Sequence, residues 1–401
     1  MIRSYKFLLF LYLILLPVQL NVFFWPNWSF VYGSRIDYLS PALYFTDFIF
    51  VALLILAFWL QKIKLGKTYF VLGLFLFINI TYSVSPAVSF YRSLKIVQAF
   101  LLFKIILNTE NIYFFVRQAL VWASLWVSVL AVLQVINAGS LGGVFYWLGE
   151  RSFSLSKPGI AKEVFLGREF LRPYSSFSHP NVLSGFLGAC FLIALPLKNT
   201  LEYFWGLLVL IVLFLGFSQA VWLGLVLALL FYKERAKKIS TLFFSLSPFL
   251  LSFFLVWFSK IYYQILSINE SFIRRAFLNL ASVSVFSQNI WTGSGLGTFV
   301  VKLPQTYKNL SPFVNAQVYW WLQPVHNIYL LLLSETGFLF SVFVFVVLYK
   351  IISKSRLHPA LLFIMFTGLF DHYWITAQQT LFLLAVVIGI TIKDNESSNL
   401  L

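Results

Sequence analysis

Two polar stretches interrupt an otherwise oily chain, and their residue types suit work on an anionic ligand. The first is Arg172-Pro173-Tyr174-Ser175-Ser176-Phe177-Ser178-His179-Pro180-Asn181. The second is Gly293-Ser294-Gly295-Leu296-Gly297, with His326-Asn327 further on. Pro180 fits the first turn of a helix, where its missing N–H costs nothing. The free N–H groups of that turn would form an anion site, and Arg172 could add a bidentate phosphate contact. A polar cap with an interfacial arginine explains the same residues. The glycines lack the strand–turn–helix setting of a dinucleotide fingerprint and the lysine of a P-loop. They read either as a tight turn at a membrane surface or as backbone that can approach a phosphate or sugar closely.

His326 could act as a general base near neutral pH. Glu335 follows nine residues later, roughly 13 Å along a helix, where a carboxylate must be paired or face a cavity. Arg274 and Arg275 could neutralise a diphosphate, or snorkel to headgroups. Asp371-His372 could orient a base, bind an acceptor sugar or form a satisfied interfacial pair. Arg92 and Lys95, about one turn apart in an apolar run, suggest an interior cavity with an anionic occupant. No Asp-x-Asp pair offers metal ligands, and no Ser/Lys or Cys/His pair suggests an acyl nucleophile. This set suits displacement of a preformed diphosphate, without metal or cofactor. Arginine would stabilise the charge developing on the leaving group, and a histidine or carboxylate would take the proton of an acceptor hydroxyl.

The elements that must position these residues follow from composition. The chain has 401 residues, 60% of them hydrophobic and 10% charged, against about 25% charged in soluble domains. That deficit predicts an all-α polytopic membrane protein, one integral domain over 1–401. The net charge of +16 reads as loop topology and headgroup attraction, with no nucleic-acid partner. The single cysteine excludes an internal disulfide. A spanning helix needs about 20 mostly apolar residues. Twelve runs qualify: 7–25, 42–60, 68–84, 88–107, 112–137, 180–197, 201–216, 219–232, 241–259, 326–349, 358–375 and 377–392. No small-residue cleavage site lies between Asn21 and Trp28, so the first run reads as an uncleaved span. With the N-terminus inside, every short inside loop is basic: Lys62, Lys64 and Lys67; Lys104 and Arg117; Lys198; Lys233, Arg235, Lys237 and Lys238; Lys350, Lys354 and Arg356. This places both termini in the cytoplasm. Two long loops, 138–179 and 260–325, fall outside. In the second, Phe272, Ile273, Ala276, Leu280 and Val283 recur at helical spacing, which predicts an amphipathic surface helix over Ser271 to Ile290.

At these residues the chain resembles the O-antigen ligase and polymerase superfamily of bacterial membrane glycosyltransferases. The likeness rests on Arg172 with Phe177-x-His179-Pro180-Asn181, on Arg275 to Ala281, on Gly293-x-Gly295-x-Gly297-x-Phe299, and on His326-Asn327 with Glu335-x-Gly337. It covers about 170 to 375. The resemblance implies a GT-C-like membrane fold and a polyprenyl-diphosphate-linked glycan donor at the outer face of the cytoplasmic membrane. It implies a glycan or lipid acceptor, as in lipopolysaccharide and other envelope polysaccharides. By position, His326 would be the base, Arg275 (or Arg274) and Arg172 the diphosphate contacts, and Asn327 and Glu335 support. Many members carry a Ser-Arg pair where this chain has Ser218-Gln219, so Arg172, Arg92 or Lys95 would supply that charge. Phe340 replaces the final glycine of the ligase signature, which leaves polymerase open beside ligase. The rival reading is a flippase for the same lipid-linked oligosaccharide; its inverted repeats are not visible in the sequence.

Overall fold

The computed structural model describes residues 1–63, 66–165, 167–231, 238–265, 270–310, 321–354 and 358–398. Lys64, Lys233, Arg235, Lys237 and Arg356 lie outside the described residues. Helix α1 (Ile2–Ile14) ends short of the predicted boundary. Beyond Pro17 the polar, proline-punctuated stretch to Tyr44 leaves the helix and folds into two antiparallel pairs. Strand β1 (Asn21–Phe23) pairs with β4 (Ala42–Tyr44), and β2 (Phe30–Val31) with β3 (Ser34–Arg35). Tyr32 (φ 48°) and Gly33 (φ 77°) make the tight turn between β2 and β3, a connection that needs positive φ at both positions.

Helices α2 (Phe45–Trp59), α3 (Lys67–Thr81), α4 (Pro86–Leu107) and α5 (Ile112–Ile136) follow. A short hairpin of β5 (Lys162–Phe165) and β6 (Arg168–Leu171) then leads into α6 (Pro180–Ala194), α7 (Thr200–Leu215), α8 (Gln219–Leu230), α9 (Lys238–Ile265), α10 (Glu270–Gln288) and α11 (Phe299–Leu310). The chain ends with α12 (Ile328–Lys354), α13 (Pro359–Thr367), the single turn α14 (Tyr373–Thr376) and α15 (Gln378–Ser398). Each predicted apolar run contains a helix, but two boundaries differ. Helix α13 stops at Gly368, so Asp371 and His372 sit in a break instead of near the end of a helix. Helix α12 breaks at Gly337, whose φ of 70° and ψ of −174° no helical residue adopts. The loops carry three small sheets that an all-α reading does not foresee.

Among the described residues, Ile112–Ile136 and Ile328–Ser353 are long and apolar enough to cross a membrane. Several outward faces are apolar too: Phe48, Val51 and Ile55 on α2, Phe204, Leu207 and Ile211 on α7, and Leu250, Phe254 and Trp257 on α9 are all exposed. Contiguous surface of that kind marks contact with lipid or partners. The main core joins α1, α2, α4, α5, α6, α13 and α15 through residues such as Leu9, Leu53, Leu102, Leu187, Phe363 and Val386. Every residue of α6 except Asn181 is buried. The surface helix forms as α10, and its apolar face follows the predicted one in part: Ala276 is buried and Ile273 packs on the same core. Phe277, Leu278, Ala281 and Val285 pack on Phe299, Leu303 and Leu331, whereas Phe272 is exposed. That row meets protein from α11 and α12, not headgroups.

Candidate functional site

The loop from Arg172 to Asn181 is fixed from beneath by α5. The buried Gln134 accepts the N–H groups of Tyr174 (3.2 Å) and Ser175 (2.6 Å), and donates to Ser175 O (2.9 Å) and to Glu150 (2.7 Å). Ser176 donates to Pro17 O at 2.8 Å. So held, the chain enters α6 with His179 as its cap. Nδ1 of His179 accepts the N–H of Asn181 at 3.1 Å, and Pro180 takes the first turn, as the sequence predicts. The helix start then aims Asn181 across the site. Arg172 Nη2 donates to Asn181 Oδ1 (2.8 Å), and Asn181 Nδ2 donates to Asp371 Oδ2 (3.1 Å). Asp371 Oδ1 accepts the N–H of His372 (2.8 Å), and His372 Nδ1 meets Thr376 Oγ1 at 2.7 Å. The His372 ring lies between His326 (centroids 5.2 Å apart) and Tyr38 (5.4 Å, edge-on).

These residues border a cavity of about 720 Å³. Its lining includes six arginines (Arg35, Arg92, Arg151, Arg172, Arg274 and Arg275) against two aspartates, Asp37 and Asp371. A concave, strongly cationic site concentrates anions. Burial pushes the pKa of His326 down to about 3; Asp371 opposes this, while His372, Arg275 and His179 add to it. Burial likewise lowers His179, to about 4. For Asp371 burial works upward, but His326, His372 and Arg275 outweigh it and hold the carboxyl below its ordinary range. The site at neutral pH is therefore an ionised carboxylate beside neutral imidazoles. His326 Nδ1 is buried without a hydrogen-bond partner.

Residues 204–345 match the family model described as O-antigen ligase. Over this segment the chain is similar to the O-antigen ligase family. The match runs from α7 into α12, about a third of the chain, and includes Arg274, Arg275 and His326. That similarity supports a glycosyltransferase-like role in glycan transfer. No curated protein matches it.

Within the O-antigen ligase segment and around it, the structure sorts the predicted residues into two groups. His326, Arg275, Arg172, Arg274, Arg92, His179, Asn181 and His372 all line the cavity. Glu335, Gly295, Gly297, Asn327 and Lys95 do not. Both carboxylate oxygens of Glu335 are used by the N–H groups of Gly297 (2.8 Å) and Phe299 (3.1 Å), which opens α11. Gly297 (φ 76°) has no room for a side chain, since a Cβ there would lie 2.5 Å from Arg92 Cγ. The glycines thus seat α4, and Arg92 with it, instead of touching a ligand. Asn327 caps α12, accepting the N–H groups of Tyr329 (2.9 Å) and Leu330 (3.0 Å). Lys95 is paired with Asp47 at 2.8 Å. An apolar run can hold a lysine because α2 supplies that carboxylate.

Sequence reasoning missed the wall made by Arg35, Tyr38, Ser40 and Tyr44, and missed Arg151 and Gln379. The cluster of Asn, Trp, Tyr and Arg between Asn21 and Tyr44 was the available signal, read as part of the first span only up to residue 25 and otherwise mostly as a connecting loop. One donor atom each of His326, Asp371 and His372 lies within 4.8 Å of the others, a grouping that could hold a metal ion. The surroundings favour another use. Asp371 already accepts two hydrogen bonds, and the arginine excess repels a cation.

Proposed function

We propose that this enzyme transfers a polyprenyl-diphosphate-linked glycan to an acceptor hydroxyl at the outer face of the cytoplasmic membrane, with inversion and without metal. The twelve apolar runs that carry α1 to α9, α12, α13 and α15 cross the bilayer in a GT-C-like arrangement. Both termini are cytoplasmic, and the loops 138–179 and 260–325 lie outside. The observation that carries this reading is one cationic cavity that brings together His326, Asp371, Arg172 and Arg275.

Arg275 and Arg172 hold the diphosphate oxygens. His326 takes the proton of the acceptor hydroxyl as its oxygen attacks the anomeric carbon. The bond from that carbon to the diphosphate oxygen breaks, and polyprenyl diphosphate leaves with the electron pair. Asp371 supports the imidazolium while it carries the proton. Arg172 takes the place of the arginine absent at Gln219. Its Nε donates to Gly216 O at 2.9 Å, at the junction of α7 and α8. An apolar groove of about 450 Å³ between α4, α12 and α15 begins at Ile96, one turn beyond Arg92, and reaches Phe103 and Ile392. It gives the polyprenyl tail a lateral path.

The test is His326→Ala in cells that lack the native gene. Surface glycan should disappear while the protein is made and inserted normally, and the purified variant should still bind undecaprenyl diphosphate. Unchanged surface glycan would remove His326 as the base. A flippase would instead deliver intact donor to the other leaflet without releasing polyprenyl diphosphate.

A further inference from the structure

One wall of the cavity has no part in the chemistry above. It comes from the hairpin segment between α1 and α2 and from the start of α15. Two residues clamp these segments together. Arg92 Nη2 donates to Tyr38 O (2.6 Å) and its Nη1 to Thr376 O (3.1 Å). Asp47 accepts the N–H of Tyr44 (3.0 Å) and the side-chain amide of Gln378 (3.1 Å). Of the unpartnered buried groups on these segments, two also face the cavity. Ser40 is 3% exposed and Gln379 is 2% exposed, both line the cavity, and neither Ser40 Oγ nor Gln379 Nε2 has a hydrogen-bond partner. Folded proteins pair nearly all such buried groups. Two exceptions on clamped segments facing one cavity indicate a ligand that bonds them.

The chemistry of the wall narrows the ligand. Ser40 and Gln379 are uncharged. Although Arg35 lies on the same hairpin, the lining near it in sequence adds the amides of Gln19 and Asn21 and the rings of Tyr38 and Tyr44. A diphosphate suits Arg172 and Arg275, which the reading above gives it. Neutral hydroxyl and amide groups between aromatic rings match a pyranose, whose hydroxyls both donate and accept and whose C–H face is apolar.

We propose that Ser40 and Gln379 form a sugar subsite, hydrogen-bonding either the sugar that carries the reacting carbon or the acceptor sugar. The proposal rests on the glycan-transfer reading, and its residues lie outside the matched segment 204–345. Full-length protein in lipid nanodiscs provides the test, with two probes: bare undecaprenyl diphosphate, and lipid-linked glycan extracted from the source cells. Ser40→Ala and Gln379→Leu should bind bare undecaprenyl diphosphate within about twofold of wild type. Neither should lower the thermal midpoint, because each removes an unpaired polar atom. Release of polyprenyl diphosphate, with donor and acceptor varied separately, should show one KM raised roughly three- to tenfold by each substitution. A raised donor KM marks the donor sugar, and a raised acceptor KM the acceptor sugar. Unchanged KM values in both arms overturn the subsite alone. So do variants that lose bare-carrier binding or thermal stability, because the two groups would then be structural. Wild-type protein that neither binds bare undecaprenyl diphosphate nor releases it would instead overturn glycan transfer itself.

Discussion

Asp371→Asn isolates charge from shape. A donor atom of Asp371 lies within 4.8 Å of a ring nitrogen of His326. As His326 takes the acceptor proton, a unit negative charge at that distance supports the imidazolium by about 3 kcal/mol at an effective dielectric of ~20. Its removal should lower kcat about 10²- to 10³-fold. The KM for donor should change little, because Arg172 and Arg275 remain. Some stability should go as well. Asp371 accepts from both Asn181 Nδ2 and the N–H of His372, and an asparagine amide can satisfy only one of them through its oxygen. The other pairing becomes donor against donor, costing about 1–3 kcal/mol. The assay is polyprenyl diphosphate release by purified protein at saturating donor and acceptor, alongside a thermal midpoint. A kcat within about threefold of wild type would refute the argument. So would a loss confined to KM, which would make Asp371 a binding group.

Three further outcomes follow from the same geometry. Arg172→Lys keeps the charge but cannot reach both Gly216 O and Asn181 Oδ1, so donor KM should rise about tenfold with a smaller change in kcat; unchanged kinetics would remove Arg172 from the diphosphate. Burial depresses His326 to about 3 and His179 to about 4, so kcat/KM should show no acid limb near pH 6.5. These imidazoles bind protons more readily when unfolded, so their contribution is complete above about pH 6.5. It is lost as pH falls toward about 4, and the thermal midpoint should drop across that window. Glu335→Gln breaks one of two bonds to the α11 start, so the midpoint should fall by several degrees while the folded enzyme turns over normally; a lost kcat without instability would return Glu335 to the chemistry.

Much of the site was legible because charge is costly in an apolar chain. Arg172, Arg275 and His326 drew notice on that ground, the resemblance gave them roles, and all three line the cavity. Helices were legible because lipid-facing and core faces are both apolar, which makes long runs. Their boundaries were less so: α1 ends where Pro17 and the polar residues after it take over, and the apolar count hid that. Glu335 and the glycines show the other limit. A carboxylate near a glycine-rich turn looks like a ligand site from spacing, yet its partners are backbone N–H groups 36 and 38 residues earlier. Nor could spacing show Asn181 reaching Asp371 across 190 residues. Ser40 and Gln379 carry no charge and sit in no motif, so only the fold brings them together.

On the proposed mechanism, the lowered proton affinity of His326 would set the order of events. A base with its pKa near 3 accepts a proton poorly at pH 7. Burial is the main cause, and Arg275 adds to it, while Asp371 pulls the other way. A donor diphosphate entering the arginine side brings negative charge to that balance. It offsets Arg275 at the ring and acts with Asp371, so the proton affinity of His326 rises as the donor binds. Base strength then arrives together with the leaving group. On that mechanism, an empty site would hold an imidazole too weak to activate a hydroxyl, and an occupied one a competent base facing an activated carbon. The arginine excess would then do two things at once: gather the diphosphate, and keep His326 a weak base until the diphosphate is in place.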